Sequence, residues 1–348
     1  NWEITDTIRM RAGHGTSFRS PALFELYLAG QTSFIGQRSV DPCINWADNL
    51  DAGNIPQEVA DNCAADGVKP DHAGTITATV FSGGGAGYLK AETSDTSTVG
   101  LIWTPEFADL QISADLFEIN VKDEVGQLTA AQIVAGCYYS DSFPNDPLCR
   151  QFDRDPIMGH VDNIMASYIN IAEQENRGWD LSLRYRTEIP WGELVIDTQH
   201  TFQIGDEYKL YTDSQAINTN GELGDPKWTG RFSASLLRGD WEYYWNMQII
   251  GEADNYKGYG GDTASLRGEE VRVVLHADRV LYHTLSASYN FQDQDTLVRF
   301  GITNLTDEEP PRVTTLNLGE VSTMGNSAFY SQYNWVGRSF FLNVTKNL

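Results

Sequence analysis

The sequence predicts an all-β chain folded as a transmembrane antiparallel β-barrel. Three observations lead there. Side chains alternate at period two along about ten segments. The connections between those segments are alternately short and long. Tryptophans sit beside the short ones.

The alternation is plain in three places. Trp179, Leu181, Leu183 and Tyr185 alternate with Asp180, Ser182, Arg184 and Arg186. Leu281, His283, Leu285, Ala287, Tyr289 and Phe291 alternate with Tyr282, Thr284, Ser286, Ser288 and Asn290, and Phe340, Leu342 and Val344 with Ser339, Asn343 and Thr345. Such a pattern sends one set of side chains to each face of a sheet. The expected strands are 2–16, 93–104, 108–124, 166–188, 191–208, 226–239, 240–255, 279–292, 295–306 and 337–348. Leu181, Leu183, Leu285, Tyr289 and Phe340 are expected to face lipid, and Arg184, Arg186 and Ser286 the lumen, because hydrocarbon takes the apolar face. Helical spacing shows only at 129–135.

Short connections fall at 105–108, 189–192, 238–240 and 292–295; long ones at 17–92, 125–165, 209–225, 255–278 and 306–336. Membrane barrels have short turns on one rim and long loops on the other, whereas a soluble sandwich has no reason to lengthen every second connection. Trp103, Trp191 and Trp241 beside the short turns suit the headgroup level, although ordinary strand propensity also places tryptophan in sheets.

Composition agrees. The chain has 348 residues and no apolar run near the roughly 18 that a membrane helix needs. Mean hydropathy is negative, which barrels share with soluble proteins because half of each strand is polar. A net charge of −24 argues against binding nucleic acid through its phosphates and suits long hydrated loops. Neither a signal peptide nor an initiator methionine is present, so the chain is expected to begin inside a longer protein.

Four cysteines form two close pairs, Cys43 with Cys63 and Cys137 with Cys149, each inside one polar connection. Without zinc-type spacing, the expectation is two local disulfides and hence an oxidising compartment. The histidines at 14, 72, 160, 200, 276 and 283 are scattered, and no metal-binding pair is expected. Asp71-His72 and Asp153-Arg154-Asp155 are weighed as cation sites against the plainer reading of solvated loop charge. Gly83-Gly84-Gly85-Ala86-Gly87 lacks the lysine and the strand-to-helix setting of a phosphate loop and reads as a flexible external loop. Arg238-Gly239-Asp240 reads as a tight turn. No catalytic triad can be assembled, and neither a cofactor nor a resident metal is expected.

The segment Ala12-Gly13-His14-Gly15-Thr16-Ser17-Phe18-Arg19-Ser20-Pro21-Ala22-Leu23-Phe24-Glu25-Leu26-Tyr27 resembles the "GxxFRxPxxxELY" stretch of TonB-dependent receptor barrels. Leu89-Lys90-Ala91-Glu92-Thr93-Ser94 resembles that family's "LkPEts" motif, with Ala91 where proline is common. Asn170 with Arg177-Gly178-Trp179-Asp180, Phe300-Gly301-Ile302-Thr303-Asn304-Leu305-Thr306-Asp307, and Gly337-Arg338-Ser339-Phe340-Phe341 resemble three later motifs in the right order, although Leu348 stands where the family usually ends in phenylalanine.

The resemblance implies the last part of a 22-stranded barrel, with residues 1–348 supplying wall and capture loops and the plug domain absent from this chain. It implies an outer-membrane receptor of a Gram-negative bacterium that imports a scarce nutrient: a ferric siderophore or other metal complex, an oligosaccharide or a peptide. The implied partners are the TonB–ExbB–ExbD complex, acting through the missing N-terminal region, outer-membrane lipid and lipopolysaccharide, and a small nutrient ligand. A passive porin or a barrel enzyme is the alternative. Loop aromatics are the candidate ligand contacts: Trp46, Tyr138, Tyr139, Tyr256, Tyr259, Tyr330 and Tyr333. Packing of the loops is the competing role for them.

Overall fold

The computed structural model describes residues 1–209, 216–254, 262–266, 269–314, 316–317, 320–321 and 332–346. Ten long strands form its wall: β1 (Ile8–Arg19), β2 (Glu92–Trp103), β3 (Asp109–Gln127), β4 (Tyr168–Ile189), β5 (Gly192–Lys209), β6 (Trp228–Arg238), β7 (Trp241–Ile250), β8 (Val280–Phe291), β9 (Thr296–Thr303) and β10 (Ser339–Lys346). Each pairs antiparallel with its sequence neighbours. Two-residue strands at 2–3 and 217–218 complete a twelve-stranded sheet, which does not close on itself among the described residues. The first expected strand, 2–16, is split: β1 starts at Ile8, and residues 2–3 fold back on it, Trp2 pairing with Met10 and Glu3 with Arg9.

Register separates the two faces. Tyr185, Ile196, Ala234, Trp245, Leu285 and Ile302 are successive partners across six strands and form one apolar row. Leu116, Trp179, Phe202 and Trp228 form another, with Phe202 and Trp228 stacked at 5.8 Å. The opposite face carries Arg11, Gly100, Asp115, Asp180 and Thr201 as successive partners. Leu181, Leu183 and Leu285 thus lie on the face opposite Arg184, Arg186 and Ser286.

Three strands outlast the apolar belt. β3, β4 and β5 run for 19, 22 and 18 residues, against about 9–11 for a strand that only crosses hydrocarbon. Beyond Leu116 and Trp179 the same side of the sheet turns charged: Asn120, Glu175 and Glu207 are partners, as are Lys122, Glu173 and Lys209. The wall therefore continues as a hydrated β-extension on the long-connection rim.

Candidate ligand-facing rim

The two longest connections are not solvated loops. They fold together on this β-extension. Strands Gln31–Gly36 and Thr77–Ser82 of the first connection join Val161–Met165 and Phe152–Arg154 of the second in a four-stranded sheet. Its central pairing is parallel and crosses between connections, matching Thr79 with Asn163, Val80 with Ile164 and Phe81 with Met165. Helices α1 (Leu23–Tyr27), α2 (Trp46–Asp51), α3 (Gln57–Ala65) and α4 (Ala130–Tyr138) accompany it. α4 starts where sequence periodicity hinted, because Thr129 and Gln132 make a reciprocal capping box.

One core unites both connections. Val59, Ala60, Val68, Ala78 and Val80 come from the first; Ile133, Val134, Leu148, Val161 and Ile164 come from the second. Both disulfides lie in it, Cys43–Cys63 with Cα atoms 5.5 Å apart and Cys137–Cys149 with Cα atoms 4.9 Å apart.

A buried polar seam fastens the same boundary. Arg154 donates to both Asp41 carboxylate oxygens at 2.8 and 2.9 Å, to the Gly159 carbonyl at 2.6 Å and to the Tyr138 hydroxyl at 2.7 Å. The Tyr138 hydroxyl donates in turn to Asp66. Burial works against the Arg154 charge, but Asp41 overrides it and the guanidinium pKa is raised. Burial likewise pushes the Tyr138 phenol up, so it stays a neutral donor. Gln37 reads the second connection as a strand would, donating to Val161 O at 2.6 Å and accepting from Val161 N at 3.0 Å.

At the foot of this module three separated motifs meet. Arg19, ending β1, makes a bidentate pair with Glu92, opening β2, at 2.5 and 2.6 Å, and reaches Glu25 at 3.1 Å. Glu25 Oε2 caps α1 by accepting from Ala22 N at 2.7 Å, and Arg19 holds the Glu25 carboxyl below its ordinary pKa. Glu92 Oε1 accepts from Val125 N at 2.7 Å. Asn170 ties Lys90 and Asp123, accepting from Lys90 N at 2.8 Å and donating to Asp123 O at 2.6 Å. The last two motifs also meet: Arg338 N donates to Asp307 Oδ1 at 2.8 Å, beside Gly337 at φ +78°.

Within the run Gly83–Gly87, Gly84 and Gly85 are closely packed, whereas Gly87 faces open space. Gly84 and Gly85 donate to Leu28 O and Glu25 O at 2.9 Å, and a Cβ on Gly84 would lie 2.2 Å from Leu26 O. Only glycine permits that approach. Arg238-Gly239-Asp240 is the tight turn that joins β6 to β7, with Gly239 at φ +60°.

The expected aromatic contacts divide. Tyr138 is fully buried and Tyr333 is 3% exposed in a second rim core with Leu223, Ile250, Val280 and Tyr282. Trp46 packs against the module core and donates to Val68 O at 3.0 Å. These three rings are occupied in packing; Tyr139 keeps 48% of its surface. Tyr256, Tyr259 and Tyr330 lie outside the described residues. Asp155 is no free charge either: it accepts from Ile157 N and Met158 N at 2.7 and 2.8 Å, which lowers its pKa. Among the described residues no group of three or more His, Cys, Asp or Glu is placed to hold a metal ion.

Among the solvent-facing apolar side chains that sequence reading missed are Phe34, Tyr88, Ile157 and Met158, between 62% and 86% exposed. Phe34 sits on the outer side of a strand whose inner side carries Ile35, a one-residue step that alternation does record. On the polar face of the wall, a recess of about 620 Å³ is lined by Arg11, Thr98, Ser113, Asp115, Asp180 and Thr201. Arg11 grips Asp115 at 2.6 and 2.5 Å, and Thr201 donates to Asp180 at 2.7 Å.

Comparison with known proteins fits this architecture. The chain is similar in fold to the siderophore receptor PirA from Acinetobacter baumannii, with TM-score 0.54 and 13% identity over 98% of this chain and 39% of that one. It is similar to a ferric enterobactin receptor, PfeA, from Pseudomonas aeruginosa, in complex with enterobactin, with TM-score 0.58 and 15% identity over 98% and 38%. It is similar to the FrpB iron transporter from Neisseria meningitidis, with TM-score 0.51 and 13% identity over 99% and 37%. The chain thus spans less than two fifths of the length of each of these. No curated protein sequence matches it. The family described as TonB dependent receptor-like, beta-barrel, matches residues 1–305, and the chain belongs to that family.

Proposed function

We propose that this chain is wall and rim of an outer-membrane receptor that captures a scarce nutrient and imports it with energy delivered by the TonB–ExbB–ExbD complex. The remaining strands and the plug would come from the rest of a longer protein, since the similar structures are more than twice as long. A ferric siderophore is the preferred substrate, because the similar folds include siderophore and iron receptors. Other metal complexes, oligosaccharides and peptides follow after it. The apolar face would meet lipid and lipopolysaccharide of a Gram-negative outer membrane. No covalent chemistry is assigned to the chain.

The observation that carries this reading is the rim clasp. Arg19, Glu25, Glu92 and Asn170, the residues of the family motifs, anchor a folded module above the wall. A passive porin has no need of a disulfide-stapled module standing on its rim, whereas a capture device needs a preorganised surface. The test uses the full-length protein in a host lacking its own receptors. Iron-limited growth and uptake of radiolabelled ferric siderophores are measured with TonB present and deleted. Uptake that depends on both the receptor and TonB is expected; uptake that persists without TonB overturns the reading in favour of a pore.

A further inference from the structure

Two histidines that sequence reading left scattered meet in the seam between the two connections. His72 comes from the first and His160 from the second, and their ring centroids lie 4.9 Å apart. The residues are 8% and 7% exposed. His72 Nε2 and His160 Nδ1 are buried without a hydrogen-bond partner. A buried polar atom left unmatched is destabilising, and a buried charge in its place is more so. The contact therefore suits a neutral His72 ring.

The charged surroundings do not rescue a protonated ring. Asp41 Oδ2 lies 3.7 Å from His72 Nε2, but Arg154 already occupies that carboxylate through two hydrogen bonds. Arg154 and His160 oppose a charge on His72; Asp71 favours it, as Asp41 does. Asp155 is the charged group that faces His160. A proton on His72 would therefore place a charge in a nearly buried contact beside the His160 ring.

We propose that the His72–His160 contact is an acid-sensitive latch, which holds the two rim connections together while the His72 ring is neutral and releases them when that ring takes up a proton. Burial, outweighing Asp41, holds His72 below the ordinary imidazole value. The closed module therefore binds fewer protons than the opened one. Its stability is complete above about pH 6.5, the unfolded value, and is lost as pH falls below it through the folded one. The latch rests on the rim fold and needs no ligand, so its failure and that of the uptake reading are separate results.

Hydrogen–deuterium exchange on the purified full-length receptor tests it, at about pH 7.5 and about pH 5.5, either side of the imidazole range. Rates are corrected for the intrinsic pH dependence of exchange. Amides at 57–65 and 161–165 are expected to open more readily in acid, by up to about tenfold per pH unit for each proton taken up. Those at 179–185 in the wall should not change. The His72→Gln, His160→Gln double variant should lose the difference, and His72→Gln alone replaces it if the double variant misfolds. A wild-type module with equal protection at both pH values overturns the latch, as does a folded variant that keeps the wild-type response. Protection that rises when zinc ion is added at neutral pH also overturns it, because the nitrogens would then be metal ligands.

Discussion

Arg19 and Glu92 are 73 residues apart and make a bidentate ion pair at 2.5 and 2.6 Å where β1 ends and β2 begins. Between them runs the whole first connection, so the pair closes its base. Arg19→Ala should free Glu25 and Glu92 together, unseating α1 and the packed glycine run. Limited proteolysis of the full-length receptor should then cut within 20–92 first, while the wall survives. A digestion pattern identical to wild type would show that the clasp carries no structural role.

The Arg154 seam makes a sharper energetic demand. Its side chain is 7% exposed, and Arg154→Met would leave the buried Asp41 carboxyl without its partner. Breaking one side of a buried pair typically destabilises by about 3–5 kcal/mol. The rim module should unfold at markedly lower denaturant, whereas Asp41→Leu together with Arg154→Met should recover part of the loss because the fully buried carboxyl is gone and Asp66, which also pairs with Arg154, is partly exposed. Equal stability of the single and double variants would contradict this account.

The disulfides close segments of 20 and 12 residues. Loop-closure entropy assigns each roughly 3 kcal/mol. Cys43→Ser or Cys137→Ser should each lower module stability by an amount of that order. Non-reducing peptide mapping should return Cys43 joined to Cys63 and Cys137 joined to Cys149. A peptide bridging the two connections would be incompatible with the pairing.

Gly100 is where Asp115 reaches across to Arg11. A Cβ there would fall 1.9 Å from Asp115 Oδ1 and 3.0 Å from Ala114 O. Gly100→Val should displace the carboxylate and cost on the order of 1–3 kcal/mol through overpacking. Heat-modifiable mobility of the refolded barrel on a gel reads this out; Gly15→Ala, with open space at its Cβ, serves as the control that should change nothing.

The two faces of β8 give an orientation test. Leu285→Arg places a cation on the apolar row and should cost about 2–4 kcal/mol if that row meets the bilayer midplane. Ser286→Arg, one residue on, enters the polar face and should leave membrane insertion intact. A reversed ranking of the two variants in outer-membrane yield would invert the assignment of lipid and lumen.

The wall was legible in the sequence because strand alternation is a local property. Trp179 to Arg186 declare two faces whatever their partners, and successive antiparallel pairing needs no information beyond turn length. The disulfide pairing was legible for the same reason, since each bridge stays within one connection. The rim was not. Its core residues, such as Val59 and Ile164, lie in separate polar segments with no shared period. Nothing near Tyr138 in sequence says that its hydroxyl will be claimed by Asp66 and Arg154 and its ring buried. His72 and His160 look unrelated until a parallel pairing of Thr77–Ser82 with Val161–Met165 brings their connections together. Sequence alone thus set the class, the strands and the staples. Tertiary structure alone decided which polar groups are buried, because burial depends on contacts between segments that the chain itself keeps far apart.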